Sequence, residues 1–336
     1  MMDTALLIEW TVKSGLIVFT LLTGFAYLTL LERRVLARIQ VRIGPNRAGP
    51  FGLLQPVADG IKLFFKEELI PASADKVLFV LAPIITLLPA LIILAVLPIG
   101  PDVTLFGRTM SLGLADQINV GVLYLMAVSS ISVYGIVLAG WSSNNKYALM
   151  GGLRSTAQMI SYELALGLAF VGPILLAGSM SLRDIVVAQR PLWYVLWQPI
   201  GFLVFVLASI AEVNRAPFDM PEAEQELTAG YHSEYSGMKF ALIFMAEYDK
   251  MIAVSAIAAA LFLGGYWGPG VEQIPWLGPI YLFLKVIVPL LLMVWLRATL
   301  PRFRYDRLMA FGWKILLPLA LLNVVLTAVL VVVRGG

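Results

Sequence analysis

Residues 77–99 read VLFVLAPIITLLPALIILAVLPI. No charged side chain interrupts them, and Thr86 carries the only hydroxyl. One helical crossing of the bilayer core takes about 20 apolar residues, so this stretch is long enough to span a membrane. Blocks of the same kind occur at 6–31, 118–141, 158–178, 192–213, 238–264, 280–300 and 308–333. The expected fold is an all-α integral membrane protein of about eight transmembrane helices, a single membrane domain over residues 1–336. Of the 336 residues, 60% are hydrophobic and 13% charged. Soluble domains carry about 25% charged residues, so an ordinary soluble globule is excluded. A disordered chain is excluded too, because disorder needs few apolar residues and high net charge.

The chain has no cysteine, which excludes disulfides, iron–sulfur clusters and thiolate zinc sites on it. Its single histidine, His232, excludes a bis-histidine haem. No redox cofactor is expected on this chain. The net charge of +3 gives no signal for nucleic acid. The N-terminus opens on Asp3 and Glu9 instead of basic residues, so no cleavable signal peptide is expected.

Basic residues orient the spans. Sixteen of the 24 lysines and arginines fall in one set of loops and adjoining span ends, and five in the other set. Lys250, Lys285 and Arg297 lie inside spans. The bias places the first set in the cytoplasm and both termini on the opposite side of the membrane. The outer loops, roughly 100–117, 179–191 and 265–279, read as connectors. The inner loops hold most of the charge.

The first inner loop, about 32–76, opens with Glu32-Arg33-Arg34 and runs through Arg38 and Arg42 to Gly44-Pro45-Asn46-Arg47 and Gly49-Pro50. That Gly/Pro-rich turn folds the chain back. Leu54, Val57, Ala58, Ile61 and Phe65 then recur at helical spacing, with Asp59, Lys62 and Lys66 on other sides of the same turns. This is a short amphipathic helix suited to the membrane surface. Each arginine reads equally as positive-inside anchoring, but anchoring leaves the acid–base alternation of Glu32/Arg33 and Asp59/Lys62 without a reason.

The third inner loop carries Glu212, Asp219, Glu222, Glu224, Glu226 and Glu234, offset only by Arg215. Pro217 and Pro221 prevent one continuous helix. Clustered carboxylates repel one another and titrate as a coupled set, which suits them to take up and pass protons. A solvated acidic loop is the alternative. The apolar residues of Ala216-Pro217-Phe218 and Met220-Pro221 interleave with the acids and favour the first reading.

Ionisable groups inside spans cost about 2.5–3.5 kcal/mol each on insertion scales, so each is a functional candidate. Glu163 and Glu247 read as relay groups, with a helix-orienting hydrogen bond as the alternative. Glu9 and Lys13, one turn apart, read as a structural pair. Arg297 reads as a side chain reaching back to the interface. Lys285 and the Asp249/Lys250 pair have no partner identifiable from sequence. Trp10, Trp193 and Trp197 are expected at the membrane girdle, and His232 reads as a polar loop residue or a proton carrier.

Four blocks in order then carry a resemblance that spans most of the chain. The first runs from Glu32-Arg33-Arg34 through Gly44-Pro45-Asn46-Arg47 to Gln55-Pro56-Val57-Ala58-Asp59 and Lys62-Leu63. The second runs from Lys146-Tyr147-Ala148 through Arg154, Ala157-Gln158 and Ser161-Tyr162-Glu163. The third holds Ala211-Glu212, Arg215-Ala216-Pro217-Phe218-Asp219, Glu222-Ala223-Glu224, Glu226-Leu227, Glu234-Tyr235-Ser236 and Ala246-Glu247-Tyr248. The fourth is Pro301-Arg302-Phe303-Arg304-Tyr305-Asp306 with Trp313-Lys314. Together they resemble the H-type membrane subunit of NADH–quinone oxidoreductase, respiratory complex I, whose mitochondrial counterpart is the first core membrane subunit. Arg307 departs from the glutamine frequent in that family.

The resemblance implies eight spans and a membrane anchor for a hydrophilic arm. It implies FMN and iron–sulfur clusters in partner subunits, quinone as substrate, and antiporter-like and small membrane subunits as further partners in the bilayer. It implies that Glu32, Arg33, Arg42 and Asp59 lie by the quinone passage. It also implies that Glu163, Glu212, Glu222, Glu224, Glu226 and Glu247 form an acidic proton path into the membrane. Two other readings stay open at this point. One is a related subunit of a membrane-bound hydrogenase, against which the full Glu32–Lys66 block and the dense acidic loop weigh. The other is a stand-alone cation or proton transporter, against which the lack of an internal repeat weighs. No G-x-G-x-x-G follows a strand, so NADH is expected to bind elsewhere.

Overall fold

The computed structural model describes residues 4–105, 108–220 and 230–335. These form α1 (Thr4–Ile39), α2 (Gln55–Phe65), α3 (Lys76–Ile92), a hairpin of β1 (Val103–Leu105) and β2 (Arg108–Met110), α4 (Gly121–Ser142), α5 (Lys146–Ala177) and α6 (Leu182–Ala188). They continue with α7 (Tyr194–Trp197), α8 (Pro199–Glu212), α9 (Gly237–Phe262), α10 (Leu277–Thr299), α11 (Tyr305–Phe311) and α12 (Leu317–Gly335). A π-helical turn, Gly312–Leu316, joins α11 to α12 into one continuous rod.

Six of these segments are long and apolar enough to cross a membrane: Leu6–Ile39, Lys76–Val96, Gly121–Ser142, Lys146–Ala177, Leu277–Thr299 and Tyr305–Val333. Two predicted crossings differ in kind. Helix α8 has 14 residues, about 21 Å at 1.5 Å per residue, and the short α7 precedes it. Helix α9 has 26 residues but carries Glu247, Asp249 and Lys250 along one stretch. All side chains of α9 from Ala253 to Phe262 are buried. A helix covered on every side belongs to the interior, and its Ala256, Ala258, Ala259 and Ala260 let neighbouring backbones come close. Around it stand α1, α3 and α10, while α3 packs on α4, α4 on α5, and α5 on α8 and α12.

Local chemistry sets several boundaries. Asp75 caps α3 by accepting from the Val77 and Leu78 amides at 3.1 and 3.3 Å. Asn145 caps α5 through the Tyr147 amide at 2.9 Å, which starts that helix three turns before the predicted 158. Helix α1 runs past the predicted 31 to Ile39, because no Gly or Pro occurs between residue 31 and Gly44. It ends where Val41 takes φ 55° and the Arg42 amide returns to the Ala37 carbonyl at 2.8 Å, a Schellman closure. Helix α2 stands where the apolar spacing placed it, and it buries none of its residues. The β1–β2 hairpin, with Val103 opposite Met110 and Thr104 opposite Thr109, is an antiparallel addition to the all-α expectation.

Loop-to-loop bonds gather the charged loops at one end of the bundle. The Leu69 amide donates to Ser236 at 3.2 Å, Asn145 to Glu234 at 2.7 Å, and the Phe303 amide to the Pro217 carbonyl at 3.1 Å. Tyr235 stacks on Phe79 at 4.1 Å, and burial pushes its hydroxyl up to about 12, so it stays a neutral hydrogen-bonding group. The connectors meet at the other end. Lys13 pairs with Glu9 and donates to the Ser111 carbonyl at 2.6 Å, and Arg183 pairs with Asp102 at 2.6 Å. Lys285 donates to the Gly265 and Trp267 carbonyls at 2.9 and 2.6 Å and lies 4.8 Å from the Trp193 ring. It ties α10 to the chain that leaves α9.

Candidate functional site

Adjacent residues on a helix point to different faces, and this separates Glu32 from Arg33. Arg33 faces α2, where its guanidinium meets Asp59 at 2.6 Å. Lys62 lies 3.5 Å from the same carboxylate, and Gln55 donates to it at 3.2 Å. Beside this knot, α1, α2 and the first half of α9 enclose a groove of about 370 Å³. Its walls include Phe25, Thr29, Phe64, Phe244 and Met245, so they are mainly apolar with the Arg33–Asp59–Lys62 charges at one edge. The outward face of α2 leaves Val57, Ile61 and Phe65 exposed, the pattern of a helix lying at a membrane interface.

Glu32 turns inward. Its carboxylate pairs with Arg297 of α10 and stands 3.8 Å from Arg215, which follows α8. The Arg215 guanidinium lies 4.1 Å from the Tyr248 ring of α9, a cation–π contact. Arg297 therefore reaches a buried acid on α1. The cluster ties together four separated parts of the chain. Arg42 lies apart from both Glu32 and the Arg33–Asp59 knot. Its Nε donates to Gln40 at 2.8 Å, and with Arg34 and Arg38 it lines an open pocket of about 870 Å³. Val41, Ile43 and Phe51 of that pocket are strongly exposed.

The carboxylates expected to relay protons converge on a residue whose partners sequence left open. Lys250 of α9 lies in the field of Glu212, Glu247 and Glu163. Ser130 of α4 donates to Glu163, and Ser129, the residue before it, donates to the Met126 carbonyl at 3.0 Å and shares a cavity wall with Glu212. A cavity of about 20 Å³ lies between α3, α4, α8 and α9, with Pro89, Ser129, Glu212, Lys250 and Ala253 in its wall. That volume holds about one water molecule, which needs two to four polar partners. Glu212, Lys250 and Ser129 supply them. Glu222, Glu224 and Glu226 lie outside the described residues.

Sequence reasoning reached the acids but not their counter-ions. Glu247 and Lys250 are three residues apart on one helix, spacing at which charges meet; that was the available signal for Lys250. No comparable signal exists for Arg215 and Arg297, because their partner Glu32 lies far away in sequence.

Asp249 is fully buried, and neither of its carboxyl oxygens has a hydrogen-bond partner among the described residues. An unsatisfied buried polar group costs about 1–3 kcal/mol, more when charged. Asp249→Asn, similar in volume and uncharged at every pH, is therefore expected to raise thermal stability by an amount of that order. A melting curve of the detergent-purified protein checks it, and a lower midpoint would show that Asp249 has a partner worth more than its desolvation.

Comparisons with known proteins agree with one another. A family model described as NADH dehydrogenase matches residues 12–328. A protein of Protochlamydia amoebophila, named as the H-type subunit of NADH-quinone oxidoreductase, is 55% identical over 306 residues, which cover 91% of this chain and 92% of its own. One of the same name from Thermomicrobium roseum is 54% identical over 324 residues, 93% of each chain. Another from Syntrophotalea carbinolica is 51% identical over 336 residues, the full length of both. The matches cover nearly the whole chain at more than half identity, and on that ground this chain belongs to the NADH dehydrogenase family, as an H-type membrane subunit of a bacterial NADH-quinone oxidoreductase.

Proposed function

We propose that this chain forms the quinone passage of a proton-translocating NADH:quinone oxidoreductase and couples quinone reduction to proton movement through its buried carboxylates. One observation carries the reading: a single helix serves both places. The first half of α9 lines the apolar groove with Phe240, Phe244 and Met245, and its next turn brings Glu247 and Lys250 to the carboxylate chamber. An event in the groove thus reaches the chamber through one rigid element.

The groove suits a flat ring on an apolar tail, because its walls are aromatic and aliphatic and its polar groups sit at one edge. Reduction of a quinone consumes two electrons and two protons. Partner subunits holding FMN and iron–sulfur clusters supply the electrons. In this reading Arg33 and Asp59 guard the groove, Glu32 anchors the helix that forms its wall, and Arg42 meets the hydrophilic arm in the loop at its base. The exposed Val41, Ile43 and Phe51 beside three arginines support a protein partner there. Glu212, Glu163 and Glu247, with Glu222, Glu224 and Glu226, take up and pass protons and form no covalent bond to substrate. Eight helices cross the membrane, α8 and α9 among them, with the charged loops in the cytoplasm and both termini on the far side. The antiporter-like and small membrane subunits are its neighbours in the bilayer.

Glu212→Gln keeps the shape and removes the titrating group. In the assembled complex it is expected to lower proton pumping or quinone reductase turnover about 10²-fold, the lower range for a positioned proton-transfer group. Glu226→Gln is expected to act in the same direction. Reductase assays and proton uptake in liposomes read the two variants, and normal coupled turnover in both would refute the coupling role.

A further inference from the structure

Helix α2 forms one wall of the apolar groove, yet none of its residues is buried in the core. The Arg33–Asp59 pair fastens it to α1 along one side. Its far end is fastened to α9 by other means. The helix stops at Phe65, where Lys66 turns to extended backbone, and residues 66–69 cross to the start of α9. There Glu68 pairs with Lys239. The Leu69 amide donates to the Ser236 hydroxyl at 3.2 Å, and that hydroxyl donates to the Glu67 carbonyl at 3.4 Å. Gly237, at φ 58°, lets the two segments touch. A Cβ there would lie 2.9 Å from Glu68 Cγ and 3.1 Å from the Lys66 carbonyl oxygen, an approach that glycine alone permits in this conformation. Met238 and Phe240, on either side of Lys239, line the groove. The crossing therefore lies directly beside it.

We propose that Glu68 and Lys239 are positioning residues for quinone: their ion pair, with the Ser236 bonds, sets the spacing of α2 from α9 and so the width of the groove. The inference rests on the groove being the quinone passage. The physical reason is preorganisation. A flat ring gains dispersion attraction only from walls that meet its faces, and a gap of about 0.5–1 Å loses about a quarter to a half of it. A helix α2 released at its Phe65 end must be ordered again whenever quinone enters, and that cost falls on binding. Glu68 and Lys239 do not themselves line the groove, so they act through its walls.

The test measures NADH:quinone reductase kinetics of the whole complex, with decylubiquinone as the probe. NADH:ferricyanide activity, which needs no quinone, reads the amount of assembled enzyme. Glu68→Gln and Lys239→Gln are each expected to raise the quinone KM about threefold to fivefold, the effect of one partly exposed ion pair, with kcat unchanged. Glu68→Lys and Lys239→Glu should each do at least as much. Combined, they should return KM to within about twofold of wild type, because the pair reforms with reversed polarity. A general structural loss would instead lower kcat and the ferricyanide rate together, without rescue. Single variants with a wild-type KM would overturn the proposal, as would a double variant no better than the worse single one. If the charge-reversed chains do not assemble, Ser236→Ala replaces them, since it removes the bonds to Leu69 and Glu67; an unchanged KM there also overturns the proposal. Ala241→Phe separates the two levels by placing a ring in the groove, whose wall includes Ala241. An unchanged KM in that variant refutes the groove as the quinone passage. A raised KM there, with unchanged Glu68 and Lys239 variants, refutes only the positioning role.

Discussion

Glu32→Ala is expected to destabilise the protein by about 3–5 kcal/mol, the range for removing one partner of a buried ion pair. The size follows from what remains. Glu32 and Arg215 are each only 3% exposed along their side chains. Arg297 pairs with the same carboxylate. Loss of that carboxylate removes the negative charge that Arg215 and Arg297 share. The damage should be long-range, because this carboxylate joins α1, α10 and the segment after α8 at one point. Glu32→Gln should cost less, since an amide still accepts a hydrogen bond from one arginine. Glu32→Gln combined with Arg297→Met should recover part of the loss, because replacing both partners leaves fewer orphaned groups. Thermal unfolding of the purified protein and its yield in the assembled complex read these variants. An unchanged melting midpoint for Glu32→Ala would show that the cluster is solvated and contributes little.

A larger loss is expected from leucine at Gly135, where α4 meets α3. A Cβ there would lie 2.7 Å from the Thr86 backbone nitrogen and 3.0 Å from the Ala82 carbonyl oxygen. These are main-chain atoms of a helix held by its own hydrogen bonds, so they cannot turn aside as a flexible side chain would. Small residues at such crossings are what bring membrane helices into van der Waals contact. Gly135→Ala is expected to cost about 1–3 kcal/mol by overpacking, and Gly135→Leu to abolish accumulation of the folded chain. Gly15 supplies the comparison: a Cβ at that position meets nothing within 4 Å, so Gly15→Ala should be neutral. Membrane abundance and melting of the three variants decide the matter. A tolerated leucine at Gly135 would mean that α3 and α4 separate at little cost.

These two sites illustrate what kind of information a linear chain carries. The crossings at 77–99 and 118–141 were legible because transfer of about 20 contiguous apolar residues into hydrocarbon is favourable whatever their neighbours do. The surface helix α2 was legible for the same local reason, through the spacing of Val57, Ile61 and Phe65. Helix boundaries were less so. The capping bond at Asn145 and the closure at Val41 depend on single backbone angles, which hydrophobic periodicity does not register. Helix α9 was legible as apolar, yet the burial of its second half, Ala253 to Phe262, on every side is a property of the bundle.

The acidic character of the candidate site was also a property of the chain itself, since Glu163, Glu212 and Glu247 stand out in a sequence with so few charges. Which charge meets which was decided only by tertiary structure. Coulomb attraction depends on separation in space, and Glu32 meets Arg297 although they are 265 positions apart. Glu32 and Arg33, neighbours in sequence, part company because a helix turns them to different faces. Lys250 becomes the centre of the chamber only when α5, α8 and α9 pack side by side. Composition and periodicity determined that this chain is a helical membrane protein and where its long apolar helices lie, because those are sums over local transfer energies. The ion pairs, the groove and the chamber required the folded bundle, because each is made by groups that only helix packing brings within a few ångströms.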